Sequence, residues 1–221
     1  MITSGASNNI KQRSGRGSFI LLEGVDRCGK TTQCGLLVKH LMTTLSLAVV
    51  AMRFPDRSTE IGSIINAYLT RGKEVDDHAI HLLFSANRWE AASTLAQHLS
   101  DGTTVICDRY AYSGVAFTSA KQKANLSLDW CKAPDQGLPA PDAVIFLDLS
   151  PEQAQKRGGY VKLDFLFVCH FMLASYATFC IGTNILARFL GNHNIFSLFD
   201  ELQFYYIIKK NINYYFQFSL I

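Results

Sequence analysis

A parallel α/β sheet with helices on both faces is the fold class this chain predicts, on three observations. Four short apolar runs are bounded by turn or polar residues, helical apolar spacing fills the stretches between them, and a glycine-rich loop joins the first run to the first helix. The first run, residues 19–22, reads as a buried strand. Directly after it, Gly24-Val25-Asp26-Arg27-Cys28-Gly29-Lys30-Thr31 fits G-x-x-x-x-G-K-[ST] at every fixed position. That pattern points to a nucleoside triphosphate. Gly24 and Gly29 let the backbone curl until successive N–H groups and a helix N-terminus face phosphate oxygens, Lys30 reaches the outer phosphates, and the Thr31 hydroxyl suits Mg²⁺.

The remaining elements follow in order. Residues 30–45 read as the helix opened by the loop, 48–53 as a second strand, and 58–69 as a helix with Ser58 as its cap. Residues 76–99 read as one long helix with Ile80, Leu83, Phe84 and Leu95 at helical spacing, followed by strands at 103–107 and 143–149. Ligands of such sheets bind beyond the carboxyl ends of the strands, and that edge receives residues 24–31, 53–57 and 108–110. Asp108 stands there as an acid able to hold Mg²⁺ or its waters, and Arg109 as a cation facing the transferring phosphate. A strand-end ion pair is the alternative, and the phosphate loop beside them favours the functional reading.

Composition narrows the class. A chain of 221 residues has room for one well-buried domain, expected over 18–160, with a Ser/Gly/Asn-rich leader at 1–17 and an apolar, aromatic tail at 161–221. The leader has no apolar core of a secretory signal, and a mitochondrial address has only weak support. A formal charge of +3 without a basic run gives no argument for nucleic acid; small anionic substrates account for the positive residues. Six scattered cysteines without a C-x-x-C pair argue for free thiols in a reducing compartment and against zinc. His78 and His81 lie one helical turn apart, but without a third ligand nearby an ordinary helix face is favoured over a metal pair.

Four ordered segments carry a resemblance: 22–27 (LEGVDR), 53–62 (RFPDRSTEIG), 82–90 (LLFSANRWE) and 108–118 (DRYAYSGVAFT). Together they resemble eukaryotic thymidylate kinase, and the likeness continues through 127–131, 137–139 and 156–160, covering about residues 17–160. The resemblance implies a P-loop nucleoside monophosphate kinase-like fold and Mg²⁺-dependent transfer of the ATP γ-phosphoryl to dTMP, giving dTDP and ADP. It implies that Arg57 and Arg109 grip the dTMP phosphate, that Phe84 stacks on thymine with Arg88 bonding the base edge, and that Phe54 lines the same pocket. Ser113 and Gly114 would contact the acceptor, and Asp26 would accept from the sugar 3′-hydroxyl. Arg27 would stabilise transition-state charge and would form the catalytic set with Lys30 on the phosphates and Asp108 on Mg²⁺; Cys28 and Thr32 would complete the nucleotide-binding stretch, and Arg157 would pack on adenine. Family members are commonly homodimers through the helices flanking residues 76–99, and the compartment stays open between cytosol, nucleus and mitochondrion.

Past Tyr160 the resemblance stops. A charged lid, a long helix, a fifth strand and an adenine loop are expected there; instead, ten of the fifteen Phe residues fall in the tail. Three readings stand: a membrane anchor over 165–187, a diverged helical subdomain, or translated A/T-rich non-coding sequence, the last being favoured by composition. On that reading the sheet is expected to keep an uncovered edge and the chain to be less soluble and less active than an intact enzyme. The non-catalytic alternative is an impaired nucleotide-binding or membrane-associated product.

Overall fold

The computed structural model describes residues 15–72, 74–147, 205–207 and 216–217. Strands β1 (Phe19–Gly24), β2 (Val49–Arg53), β3 (Thr104–Asp108) and β4 (Ala143–Leu147) form a parallel sheet in the order β2-β3-β1-β4. Each strand lies within about two residues of its expected place. The pleat sends alternate side chains to opposite faces, so a strand covered on both faces must be apolar throughout. On one face Phe19, Leu21, Val105, Cys107, Val144 and Phe146 pack with Leu95 and Leu99 of α4 (Ala92–Ser100) and with Tyr112 and Ala116 of α5 (Ala111–Ser119). On the other, Ile20, Leu22, Ile106, Ile145 and Leu147 pack against Cys34 and Leu41 of α1 (Lys30–Thr43).

The outer edge of β4 is covered, contrary to expectation. β5 (Tyr205–Ile207) pairs antiparallel with β4, Val144 opposite Ile207 and Phe146 opposite Tyr205, and β6 (Phe216–Gln217) pairs with β5. A strand edge offers unpaired N–H and C=O groups to any extended segment, and antiparallel pairing needs no long crossover. No helix among the described residues is long and apolar enough to cross a membrane; the stretch 165–187, like Arg157, lies outside the described residues.

Two local expectations are corrected. Thr59, not Ser58, caps α2 (Glu60–Arg71): its Oγ1 accepts from the Gly62 amide at 2.9 Å, while the Ser58 hydroxyl is turned away, donating to Asp56 Oδ1 at 2.6 Å. Gly62 has no alternative in this turn, since a Cβ there would lie 1.8 Å from the Asp56 carbonyl oxygen. The long helix is two, α3 (Asp77–Glu90) and α4, parted at Ala91, whose φ of −96° and ψ of −5° lie at the margin of the right-handed helical region. The break lets α3 pack on α2 and α5 while α4 packs on β3, which a straight helix would not do. Ahead of β1, the Gly17 amide donates to Leu99 O at 2.7 Å, and Arg16 pairs with Asp142, whose Oδ2 also accepts from the Phe19 amide at 2.8 Å.

The expected histidine face is also different. His81 is fully buried, bonded through Nδ1 to Thr118 Oγ1 and through Nε2 to Cys131 O, and burial lowers its pKa. His78 and His81 both lie against Trp130, and no group of three metal-ligating side chains occurs among the described residues. Cys28, Cys34, Cys107 and Cys131 are free thiols.

Replacing Thr59 by Ala is expected to cost about 1–2 kcal/mol, the usual worth of a lost cap, whereas Ser58→Ala stays within about 0.5 kcal/mol. Urea midpoints of the two variants check this; equal losses would return the cap to Ser58.

Candidate active site

The loop after β1 turns through left-handed conformations at Gly24 (φ 144°), Arg27 (φ 63°) and Gly29 (φ 101°). Gly29 is the N-cap of α1 and offers no side chain to the first-turn amides, and no acid lies in that turn. Those amides and the positive end of the helix dipole therefore face outward, available to an anion. Lys30 is folded back over the loop, 5% exposed, donating to Gly24 O at 3.1 Å and Val25 O at 2.6 Å, with Cys28 Sγ at 3.5 Å. Burial and then the nearby Arg109 lower its pKa.

Register supplies the second half. Leu22 of β1 lies beside Asp108, the last residue of β3, so the end of β3 emerges next to the loop. Thr31 Oγ1 donates to Asp108 Oδ2 at 2.6 Å, and Arg53 Nε from the end of β2 stands 3.7 Å from the same oxygen. Arg109, at φ 68°, leaves the sheet and reaches back: Nη2 bonds Asp26, Nη1 donates to Ser113 Oγ at 2.8 Å, and the guanidinium lies over the Phe117 ring at 5.4 Å. Beneath these, Glu23 is fully buried. Its Oε1 accepts from the Tyr110 and Ser113 amides at 3.0 and 3.2 Å, and its Oε2 from Ser113 Oγ at 2.6 Å. Burial pushes the Glu23 carboxyl above its ordinary value of 4.5, more than Arg109, Ser113 and Tyr110 pull it down.

Asp26, Arg27, Gly29, Lys30, Thr31, Thr32, Arg53, Asp108 and Arg109 line one cavity of about 390 Å³. Four cationic side chains against two carboxylates make it a receptor for a polyanion. The expected loop residues Asp26, Arg27, Gly29, Lys30, Thr31 and Thr32 are thus brought together with Asp108 and Arg109, while Gly24 and Cys28 are outside the cavity's lining. Arg57 and Phe54 line an adjoining cavity of about 610 Å³, with Arg53 shared between the two. Phe54 is 3% exposed with its ring on Tyr110, so it forms that cavity's floor more than a ligand face, and Arg57 Nη1 donates to Asn66 Oδ1 at 3.1 Å. Phe84 is half-buried on α3, one turn from Arg88. Arg88 is 2% exposed, paired bidentately with Asp135 and packed on Gly114.

Four contributors were not singled out by sequence reasoning. Glu23 had a signal, a lone acid ending an apolar strand. Asn87 holds the loop after Phe54, accepting from the Asp56 amide at 2.7 Å and donating to Asp56 O at 3.0 Å. Arg53 and Asp135 act through contacts distant in sequence, for which no local pattern exists.

A family model described as thymidylate kinase matches residues 22–168, eight residues beyond the end of the resemblance at Tyr160. The chain belongs to the thymidylate kinase family. It is 52% identical to a thymidylate kinase of Arabidopsis thaliana over 72% of this chain, and 54% identical to that of Homo sapiens over 66%. It spans 60% of the length of the first relative and 67% of the second. Among solved structures, a thymidylate kinase from Candida albicans superposes with a TM-score of 0.66 at 40% identity, covering 73% of this chain and 79% of that one. A bacterial thymidylate kinase from Ehrlichia chaffeensis, 23% identical over 74% of this chain and 88% of that one, shares the fold with a TM-score of 0.60.

Because the folded Glu23 carboxyl holds its proton more tightly than the unfolded one, its burial is free of charge cost below pH 4.5 and destabilising as pH rises through the folded value. Glu23→Gln mimics the protonated form. Its stability relative to wild type should therefore climb as pH rises above 4.5 in urea titrations; a difference independent of pH would contradict this.

Proposed function

We propose that this chain is a dTMP kinase, transferring the γ-phosphoryl of ATP to dTMP. The observation that supports it most directly is the cationic cavity in which the phosphate loop, Asp108 and Arg109 meet. Phosphoryl transfer requires positioned charge rather than covalent chemistry by the protein. The first-turn amides of α1 and Lys30 would bind the triphosphate, with Cys28, Gly29 and Thr32 in the same stretch. On leaving Gly24 O and Val25 O for phosphate oxygens, the Lys30 ammonium would exchange dipoles for full charges. Arg27, exposed on the cavity wall, would meet the charge that develops on the transferring group.

The Thr31 hydroxyl and Asp108 carboxylate, in contact at 2.6 Å, are hard oxygen donors that fit Mg²⁺. Two protein ligands suit an ion that otherwise keeps water and phosphate oxygens, and bound there it would neutralise phosphate charge. Arg109 and Arg57 would hold the acceptor phosphate from the two adjoining cavities. Asp26 would orient the acceptor sugar, and the Asp26–Arg109 pair would then open for substrate. Phe84 and Arg88 would receive the base, with Ser113 and Gly114 beside it. No observation among the described residues favours the membrane-associated alternative.

ADP release coupled to a colour reaction, with ATP, Mg²⁺ and either dTMP, UMP or no acceptor, tests the reading. Turnover is expected with dTMP, falling about 10³-fold or more in Arg27→Ala, the usual worth of such an arginine. Acceptor-independent ADP release, absence of turnover, or an unaffected Arg27→Ala enzyme would each overturn it.

A further inference from the structure

Arg53 stands where the two cavities meet. It closes β2 opposite Asp108 in the parallel register, and the next amide, Phe54 N, donates to Asp108 O at 3.1 Å, so its backbone is fixed beside the residue whose carboxylate meets Thr31. Of the residues lining the cavities of about 390 and 610 Å³, Arg53 alone belongs to both. A cation at that border is within reach of an anion in either space.

Its side chain is also the least committed of the cations compared here. Lys30 donates to Gly24 O and Val25 O, Arg109 to Asp26 and Ser113, and Arg57 to Asn66. Arg53 makes one ion pair, Nε at 3.7 Å from Asp108 Oδ2, with its side chain 60% exposed, and neither Nη has a hydrogen-bond acceptor among the described residues. A pair so long and so open to solvent contributes little to the fold. It restrains the guanidinium near Asp108 and leaves both terminal nitrogens for a ligand. A planar guanidinium has five donors in a fixed fork, enough to serve two oxygen groups at once.

We propose that Arg53 is a ligand-binding residue shared by both substrates: its guanidinium bridges the acceptor phosphate in the larger cavity and the triphosphate in the smaller, and so couples the binding of one to the binding of the other. The inference rests on the proposed dTMP kinase reading. With one anion bound, Arg53 keeps Asp108 and water as its other partners. With both bound, it lies between two anions, and its positive charge offsets their repulsion where water is displaced. Coupling of this kind is reciprocal, so each ligand gains the same factor from the other through Arg53.

Binding of dTMP would be measured by calorimetry in Mg²⁺ buffer, with and without saturating β,γ-methylene-ATP, whose terminal phosphoryl cannot be transferred, in wild type, Arg53→Met and Arg57→Met. Arg53→Met keeps the unbranched stem and removes the charge. It should weaken dTMP about threefold or less alone, and about tenfold or more with the analogue bound, the analogue losing the same extra factor when dTMP is bound. Arg57→Met, which alters the larger cavity only, should weaken dTMP equally in both conditions. A loss in Arg53→Met that is the same with and without the analogue, a loss confined to the analogue, no loss, or an equal extra loss in Arg57→Met would each overturn the bridging role and leave the kinase reading standing. Should Arg53→Met lose its cooperative thermal transition, Arg53→Gln takes its place with the same expectations. Wild type that binds neither ligand would overturn both readings together.

Discussion

The buried carboxylate of Glu23 is the constraint on which the site's two halves depend. It is the penultimate residue of β1, just before the chain turns into the phosphate loop, and it accepts from the Tyr110 and Ser113 amides and the Ser113 hydroxyl, where the chain leaves β3 and enters α5. A carboxylate with no exposure cannot remain without donors, so the backbone after Asp108 is obliged to wrap around it. That wrapping carries Arg109 through a left-handed turn and aims it at Asp26, which would otherwise face solvent alone.

Charges of both signs are interleaved around this anchor. Glu23 lies deepest, Lys30 and Asp108 are buried beside the loop, and Arg109 reaches outward to Asp26 at the rim. Lys30, Arg53 and Arg109 each already have an oxygen partner, so the arrangement is held together before any phosphate arrives. A polyanion bound there would take over those contacts, and the protein dipoles would need little rearrangement to receive it. The adjoining cavity is formed by the loop after β2, which Asn87 grips through both the amide and the carbonyl of Asp56, and by the Arg53 side chain that borders both spaces.

Much of this was legible in advance. The phosphate loop announces itself because its glycines, lysine and threonine are contiguous and each is demanded by backbone geometry or phosphate chemistry. The four parallel strands were legible because burial on both faces requires uninterrupted apolar runs. Helix details were less so. Ser58 and Thr59 are equally good caps by type, and only the competing bond from Ser58 to Asp56 assigns the cap to Thr59. The break at Ala91 had no glycine or proline to mark it, because it is imposed by what α3 and α4 must each cover.

The sequence by itself determined the fold class, the phosphate-binding loop and the identities of the charged residues at the strand ends, since these rest on contiguous spacing and on side-chain chemistry. The tertiary structure alone decided the partnerships: Glu23 with 110–113, Arg53 with Asp108, Arg88 with Asp135, and the tail segment Tyr205–Ile207 on the edge of β4. Those contacts join residues from about 50 to 90 positions apart or more, and what sets them is strand register and the requirement that buried charge be neutralised, neither of which has a local pattern.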